Sequence, residues 1–271
     1  MVVENTKLVR DYVNPSRLPD WDYVINPYTG CTFKCSYCCA EFMQRFSKHQ
    51  EDWGDFIDAK IATRDINLIK IDGGRIIMSS VTDPYNPYEE RYNVTKTIIE
   101  QLRNANISLH IVTKSNLVLR DLELLKQLKN VSVVFSIATT DENFRKDIEP
   151  FAPSFQERLN AIKILHNEGI NTIVYISPIF PELTNYKEII ELTKDYVSEY
   201  WLENLNLRGS YRPRILAYIN EKHPLYIKLY KEIYRLKTSN YWEQKEKEIC
   251  EYLKERHIKY RNYFYHEKNR K

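Results

Sequence analysis

Apolar residues along this chain follow two alternating periods. Short runs rich in Val, Ile and Leu alternate with longer segments whose apolar residues recur at helical spacing. The short runs predict β-strands, and the longer segments predict amphipathic helices. The predicted strands are Asp22–Asn26, Gly74–Ser79, Ser108–Thr113, Val131–Ser136, Asn171–Ile176 and Trp201–Leu207.

Helical segments follow the predicted strands. The best bounded of them is Phe155–Glu168, because Gly169 directly after it is a favourable C-cap. Two further helical segments follow the last strand. The other predicted helices are Ala40–Lys48, Val94–Asn104, Leu119–Leu128, Tyr186–Val197, Leu225–Leu236 and Tyr241–Ile258.

This order of elements predicts an α/β fold with parallel strands joined by crossover helices. A complete (β/α)8 barrel takes about 250 residues, whereas the six units end near residue 207. The sequence therefore predicts a partial (β/α)6 TIM-like barrel with a C-terminal helical extension, and a doubly wound sheet is the alternative. We expect an N-terminal extension at 1–20, a barrel core at 21–210 and the helical extension at 211–271.

Composition narrows the function classes only slightly. The chain has 271 residues with 40 Lys and Arg against 37 Asp and Glu, so its net charge of +3 does not indicate a polyanionic partner. No apolar run approaches the ~20 residues that span a membrane. The first ten residues lack the apolar core of a secretory signal, so we expect a cytoplasmic protein.

Four of the five cysteines lie close together, at Cys31, Cys35, Cys38 and Cys39. A secreted disulfide framework would spread them along the chain, so this clustering indicates a metal site. Thiolates suit iron–sulfur clusters and zinc. Three thiolates leave one iron of a four-iron cluster open, whereas a structural zinc site needs a fourth ligand, for which Cys39 or His49 is available.

The CxxxCxxC spacing, with Tyr37 directly before the third cysteine, resembles the radical S-adenosylmethionine (SAM) superfamily. The resemblance implies a [4Fe–4S] cluster on Cys31, Cys35 and Cys38 that binds SAM at its open iron. It implies reductive cleavage of SAM to a 5′-deoxyadenosyl radical, which abstracts hydrogen from a substrate. An external electron donor of the ferredoxin or flavodoxin type is implied as well.

A narrower resemblance, to the spore photoproduct lyase-related branch, extends from about Tyr23 to Asn206. It rests on the order of short motifs: NPYTGCTFKCSYC at 26–38, VTDPY at 81–85, TKS at 113–115, EP at 149–150 with Arg158, and SPIFP at 177–181. The resemblance implies that Lys114 and Ser136 contact the methionine end of SAM and that Ile176 and Ser177 lie along its adenine. The full set of implied SAM contacts is Tyr37, Thr82, Asp83, Lys114, Ser136, Ile176 and Ser177.

Two positions depart from that branch. Ser80 stands where the lyases carry the cysteine that returns a hydrogen atom to the product, and Cys39 stands where they carry a tyrosine. An O–H bond is much stronger than an S–H bond, so Ser80 cannot take over that role. We therefore expect a related enzyme with a different substrate, with Cys39 as the candidate hydrogen donor. The structural alternative is that Cys39 packs into the helix start.

Nucleic acid is a candidate substrate, but the sequence does not identify one. The segment from Lys254 to Lys271 interleaves basic and aromatic residues, which suit phosphates and bases but are more often a solvated helix end. Two non-catalytic hypotheses remain: a zinc-stabilised nucleic-acid-binding protein, and an interaction protein on a barrel scaffold that has lost its cluster.

Overall fold

The structure is a computed structural model that describes residues 1–264. It is built from two sheets and the helices that cover one of them. In chain order the strands are β1 (Val3–Val9), β2 (Val13–Pro15), β3 (Tyr23–Ile25), β4 (Tyr28–Thr29), β5 (Phe56–Ala62), β6 (Arg75–Met78), β7 (Ser108–Thr113), β8 (Val131–Ile137), β9 (Asn171–Ile179), β10 (Glu199–Asn204) and β11 (Tyr260–Asn262).

Nine α-helices are present within residues 1–264, together with 3₁₀ segments at Cys39–Phe46, Asn116–Asp121 and Pro224–Tyr226 and a π-helical turn at Glu232–Leu236. The α-helices are α1 (Glu89–Tyr92), α2 (Val94–Leu102), α3 (Leu122–Leu125), α4 (Glu142–Ile148), α5 (Phe155–Asn167), α6 (Tyr186–Thr193), α7 (Tyr211–Lys222), α8 (Ile227–Lys231) and α9 (Tyr241–Glu255).

The main sheet has eight strands in the order β11-β10-β9-β8-β7-β6-β3-β2. The six predicted strands are its β3 and β6 to β10, and each pairs in parallel with its neighbour. β2 adds antiparallel to β3 at one edge, and β11 adds parallel to β10 at the other. The α/β fold with a parallel six-strand core is therefore confirmed, and it agrees with a partial barrel.

The second sheet was not predicted. It has the order β1-β5-β4, and β1 pairs with β5 along its whole length, from Val3 opposite Phe56 to Val9 opposite Ala62. β1 is mostly exposed and its polar residues hide the period of a strand, which explains why periodicity alone does not find it. This sheet ties residues 3–9 of the N-terminal extension to the segment that follows the cysteine loop.

The sequence predicts a helical C-terminal extension, but the structure also shows a short strand there. Residues 260–262 form β11, and Phe264 is buried against the main core. A three-residue edge strand is too short to show a period of two, so the sequence pattern does not reveal it. The described part of the basic and aromatic tail thus packs on the sheet, and residues 265–271 lie outside the described residues.

Period-two alternation divides the strands of the main sheet between two faces. On β7, Leu109 and Ile111 belong to the large core under the helices. Val112 lies on the opposite face, against a smaller cluster that contains Trp21 and Trp201. We call this second face the inner face, because no α-helix contributes to its cluster within the described residues.

None of the helices among residues 1–264 has the length and apolar composition of a membrane-spanning helix.

His110 lies within this inner-face cluster and should make stability depend on pH. Its ring stacks near Trp201 and meets Trp21 edge-on, with centroids 5.7 and 4.8 Å away. Burial, with a smaller contribution from Arg261, lowers the pKa of His110 to about 4. The unfolded chain binds the proton near pH 6.5, so the free energy of unfolding falls as the pH drops from about 6.5 to 4, by at most about 3 kcal/mol.

Denaturant unfolding of the wild type and of His110→Phe at pH 7 and pH 4.5 checks this prediction. Phenylalanine keeps an aromatic ring between the tryptophans and cannot be protonated. We expect the variant to lose less stability on acidification than the wild type. An equal loss in both proteins would show that His110 does not carry the pH dependence.

Candidate active site

The cysteine loop has a backbone that its sequence requires. Gly30 has φ +92°, and a Cβ there would lie 2.4 Å from the carbonyl oxygen of Phe56, so only glycine fits. The hydroxyl of Thr82 donates to the Gly30 carbonyl at 2.6 Å. On the other side, the Ser36 amide donates to the Ile148 carbonyl at 2.8 Å. The loop is thus held between the end of β6 and the end of α4.

The four thiols of this loop lie near one another. Cys31, Cys35 and Cys38 are partly buried, whereas Cys39 presents its side chain to solvent. Burial raises the pKa of the Cys31, Cys35 and Cys38 thiols, to about 12 for Cys35. The thiol of Cys31 interacts electrostatically with Cys35 and Cys38, and that of Cys39 with Cys38.

Buried polar atoms around the thiols suit an iron–sulfur cluster. Thr32 Oγ1, Ser36 Oγ and Trp53 Nε1 are buried and have no hydrogen-bond partner among the described residues. Trp53 nevertheless approaches Cys38 closely enough to act against the effect of burial on the pKa of that thiol. Donors directed at cluster sulfurs are one of the means by which proteins tune such clusters.

A cluster and a single metal ion place different demands on the thiols. A four-iron cluster binds its thiolates on separate irons, whereas a single ion needs them to converge on one point. Among residues 1–264, no group of three or more His, Cys, Asp or Glu side chains is arranged to hold a metal ion. The fit to a cluster rests on the chemistry of the three-thiolate donor set and of its unpaired neighbours.

The inner face carries Lys114 and Ser136 at the ends of neighbouring strands. Lys114 Nζ donates to Ser136 Oγ at 3.1 Å, and that hydroxyl donates to the Ser177 carbonyl at 3.1 Å. Burial acts to lower the pKa of Lys114, but the nearby Cys35 and Glu149 outweigh it, so the pKa is raised. Within the described part of the chain this ammonium makes no ion pair, so it remains available to an anionic ligand.

Asp83 lies behind Lys114 and supports it. The carboxylate is buried and accepts from the Lys114 amide at 2.8 Å and from Thr113 Oγ1 at 2.7 Å. It also accepts from the Tyr85 amide at 2.9 Å. Both oxygens are therefore used within the protein. Thr82 likewise bonds to the cysteine loop, so these two residues position the site from within the protein.

Tyr37 belongs to a buried network that joins the cysteine loop to β8. Its hydroxyl donates to Glu149, which also pairs with Arg158; these two side chains are 0% and 2% exposed. Arg158 Nη1 donates to the Ser136 carbonyl at 2.8 Å. Burial acts to raise the pKa of Glu149, but Arg158 and Lys114 lower it overall. The ring of Tyr37 lies 5.8 Å from Lys114 Nζ.

The end of β9 carries Ile176 and Ser177, which are predicted to lie along the adenine largely through backbone atoms. Ile176 is fully buried in the core under the helices, so only its backbone is available at the inner face. Ser177 Oγ donates to Glu203 at 2.6 Å, and the hydroxyl of Tyr175 donates to the same carboxylate at 2.7 Å. Sequence reasoning missed Glu203, although its position at the end of the last barrel strand was the available signal.

Cys39 adjoins the cysteine loop. It begins the 3₁₀ helix Cys39–Phe46, and its side chain is exposed. Its role as hydrogen donor stays a prediction.

Cavity volume does not by itself locate this site. A cavity of about 370 Å³ lies beside the cysteine loop and is lined by residues that include Phe33, Ser115 and Phe151. It contains none of the inner-face side chains. The convergence of thiols, ammonium and hydroxyls at the strand ends is the stronger indication, since chemistry in such folds lies there.

Comparison with known families decides the class. The model for the radical SAM superfamily matches residues 25–195, which include the cysteine loop, Lys114 and Ser136. This chain belongs to the radical SAM superfamily. It is therefore an enzyme, and the family carries out radical chemistry in which SAM is cleaved, usually with a [4Fe–4S] cluster. Membership favours the catalytic hypothesis over the two non-catalytic ones.

Individual relatives agree with this assignment. A protein of Methanocaldococcus jannaschii is 38% identical over 212 residues, covering 78% of this chain and 80% of its own. The radical SAM Nα-GlyT isomerase of Pseudomonas phage M6 is 25% identical over 114 residues, covering 42% of this chain and 24% of the isomerase.

A solved structure shares the fold. It is a spore photoproduct lyase variant with bound AdoMet and dinucleoside spore photoproduct, with a TM-score of 0.59 and 19% identity. The match covers 82% of this chain and 66% of the lyase, so the chain spans just under two thirds of the lyase's length. The resemblance to the lyase-related branch is thus supported at the level of the fold.

Proposed function

We propose that this enzyme holds a [4Fe–4S] cluster on Cys31, Cys35 and Cys38 and cleaves SAM reductively to abstract hydrogen from a nucleoside or nucleic-acid substrate. The observation that carries the proposal is the position of Lys114. Its unpaired ammonium lies on the inner face within electrostatic range of the Cys35 thiol. When bound, the cluster and SAM together supply a radical that abstracts hydrogen.

In this proposal the residues of the chain orient SAM. Lys114 binds its carboxylate, because a compact ammonium suits a carboxylate and no protein carboxylate within the described residues pairs with it. Ser136 holds the ammonium in place through its hydroxyl, and Asp83 holds the Lys114 backbone. The Tyr37–Glu149–Arg158 network fixes the cysteine loop against β8, so thiols and ammonium keep a constant separation.

Cys39 is the proposed hydrogen donor to the substrate radical. The S–H bond breaks as a C–H bond forms on the product, and the sulfur is left short of one electron and one proton. An external donor of the ferredoxin or flavodoxin type would supply the electron, and solvent would supply the proton to the exposed sulfur. The exposed position of Cys39, directly after Cys38, supports this role.

The substrate class rests on the solved structure that shares the fold, which holds a dinucleoside photoproduct. The mixed inner face, with the hydroxyls of Tyr175 and Ser177 on Glu203, offers polar groups that a base can contact.

SAM affinity tests the proposed function. Lys114→Ala should weaken SAM binding by about 1.5–3 kcal/mol, roughly 10- to 150-fold in Kd, because a charge-assisted hydrogen bond to the carboxylate is lost. Anaerobic equilibrium dialysis of the reconstituted protein measures it. Lys129→Ala is the matched control, since Lys129 is exposed and far from the strand ends. Unchanged affinity in Lys114→Ala would show that Lys114 does not bind SAM.

A further inference from the structure

An aromatic and basic surface begins directly after the cysteine loop. Phe42 and Phe46, on the 3₁₀ helix Cys39–Phe46, are 50% and 61% exposed. The guanidinium of Arg45 lies 5.7 Å from the first ring centroid and 4.6 Å from the second. Exposed apolar residues that adjoin one another mark interaction sites more often than single ones do. Burial of the core cannot account for these two rings.

The same helix is fastened to the start of α7. Glu41 accepts from Ser210 Oγ at 2.7 Å and pairs with Arg214, and Arg214 also donates to the Ser36 carbonyl at 2.7 Å. The contact brings together a segment that follows β3 and a segment that follows β10. These strands are at opposite ends of the six-strand parallel core. The contact therefore links the β3 side of the parallel core to the β10 side, on the helix that begins with Cys39.

Charge is concentrated at this bridge. The helix Cys39–Phe46 and residues 205–214 contain four arginines and one carboxylate, Glu41, which Arg214 already neutralises. Arg45, Arg208 and Arg212 are all exposed there. The whole chain, by contrast, carries only +3. This local excess is complementary to a phosphate backbone, and the rings of Phe42 and Phe46 offer flat faces to bases.

We propose that Phe42, Arg45, Phe46 and Arg212 form a docking surface for single-stranded DNA, here called the aromatic–arginine surface. Enzymes that act on a base take it out of the stack, so unpaired bases must be held beside the site. Phe42 and Phe46 stack on bases next to the reacting one, and the arginines bind the flanking phosphates. The choice of DNA rests on the nucleoside substrate of the proposed function.

Fluorescence anisotropy with a labelled 12-nucleotide oligothymidylate tests the surface. In Phe42→Ala/Phe46→Ala the Kd should rise tenfold or more, because base stacking on aromatic side chains is lost. In Arg45→Ala/Arg212→Ala the Kd should rise at low salt. The slope of log Kd against log salt should also fall by about 1.4, or 0.7 for each lost phosphate contact.

Two matched controls are available. Phe151 is 59% exposed and has the ammonium of Lys34 5.6 Å from its ring centroid, but it lies outside the surface. Arg103 is an exposed arginine on the loop end of α2. Phe151→Ala and Arg103→Ala should bind the oligonucleotide as the wild type does. Arg214 is left unchanged because it supports the cysteine loop.

The outcomes separate this proposal from the proposed function. Three outcomes overturn the docking surface. The wild type does not bind the oligothymidylate, the control variants weaken binding equally, or an RNA oligonucleotide of the same length binds more tightly. Reductive SAM cleavage without oligonucleotide, measured on the same preparations, should be unchanged in all four variants. Loss of SAM cleavage in the wild type, with binding intact, would overturn the proposed function and leave the surface standing.

Discussion

Alanine in place of Cys35 is expected to leave the reconstituted protein nearly colourless, with iron falling from about four atoms per chain to almost none. Cys31→Ala and Cys38→Ala should behave in the same way. Each thiolate binds its own iron, so losing one leaves two ligands on one short loop and a cluster that no longer assembles. Iron analysis and visible absorption of anaerobically reconstituted protein measure the effect.

Cys39→Ala and Cys250→Ala are the controls. Cys39 adjoins the loop but lies outside the CxxxCxxC spacing, and Cys250 lies on α9, far along the chain. Both variants should keep full iron and colour. Far-ultraviolet circular dichroism on every variant separates cluster loss from unfolding. Full iron in Cys35→Ala, or a colourless Cys39→Ala protein, would contradict the proposed ligand set.

The parallel core was predictable because its strands are buried and short. β7 has the predicted bounds, Ser108–Thr113, and α2 and α5 begin at the predicted Val94 and Phe155. For α5 the reason is local: Ser154 and Glu157 form a capping box, and Gly169 follows the helix with φ +78°. Helix ends of this kind are determined by residues that are neighbours in the sequence.

Elements that depend on distant partners were not predictable in this way. The helix expected at Leu119–Leu128 is instead a 3₁₀ segment at Asn116–Asp121 followed by the short α3. β1 is stable because β5 pairs with it, more than forty residues away. The hydrophobic period of a segment does not show which distant strand pairs with it. The sequence therefore predicts the barrel strands but not the second sheet.

The site shows the same division. Lys114 and Ser136 were expected together, and they form a hydrogen bond at 3.1 Å. Asp83 stays a predicted SAM contact, and its carboxylate accepts from Thr113, Lys114 and Tyr85. Motif order indicates which residues are near the site, whereas these supporting hydrogen bonds appear only in the structure.

Dinucleoside spore photoproduct should not be converted efficiently to two thymidines by this enzyme, despite the shared fold. The radical left on the product must regain a hydrogen atom from a weak bond held in contact with it, because positioning carries most of the advantage. Ser80 offers only a strong O–H bond there, and its Oγ accepts from Asn26 Nδ2 at 3.3 Å. Cys39 offers an S–H bond, but from the start of the helix after the cysteine loop.

Product analysis by mass, under reductant with SAM, tests this expectation on the wild type, Ser80→Cys and Cys39→Ala. We expect few turnovers and side products from the wild type, and more clean conversion from Ser80→Cys, which restores a thiol after β6. Ser79→Cys is the matched control, since it adds a thiol at the neighbouring buried position. Clean wild-type conversion over many turnovers, abolished in Cys39→Ala, would mean that Cys39 reaches the photoproduct radical and that the enzyme is itself such a lyase. Solvent deuterium in the product would then trace the exchangeable thiol as the source of the returned hydrogen.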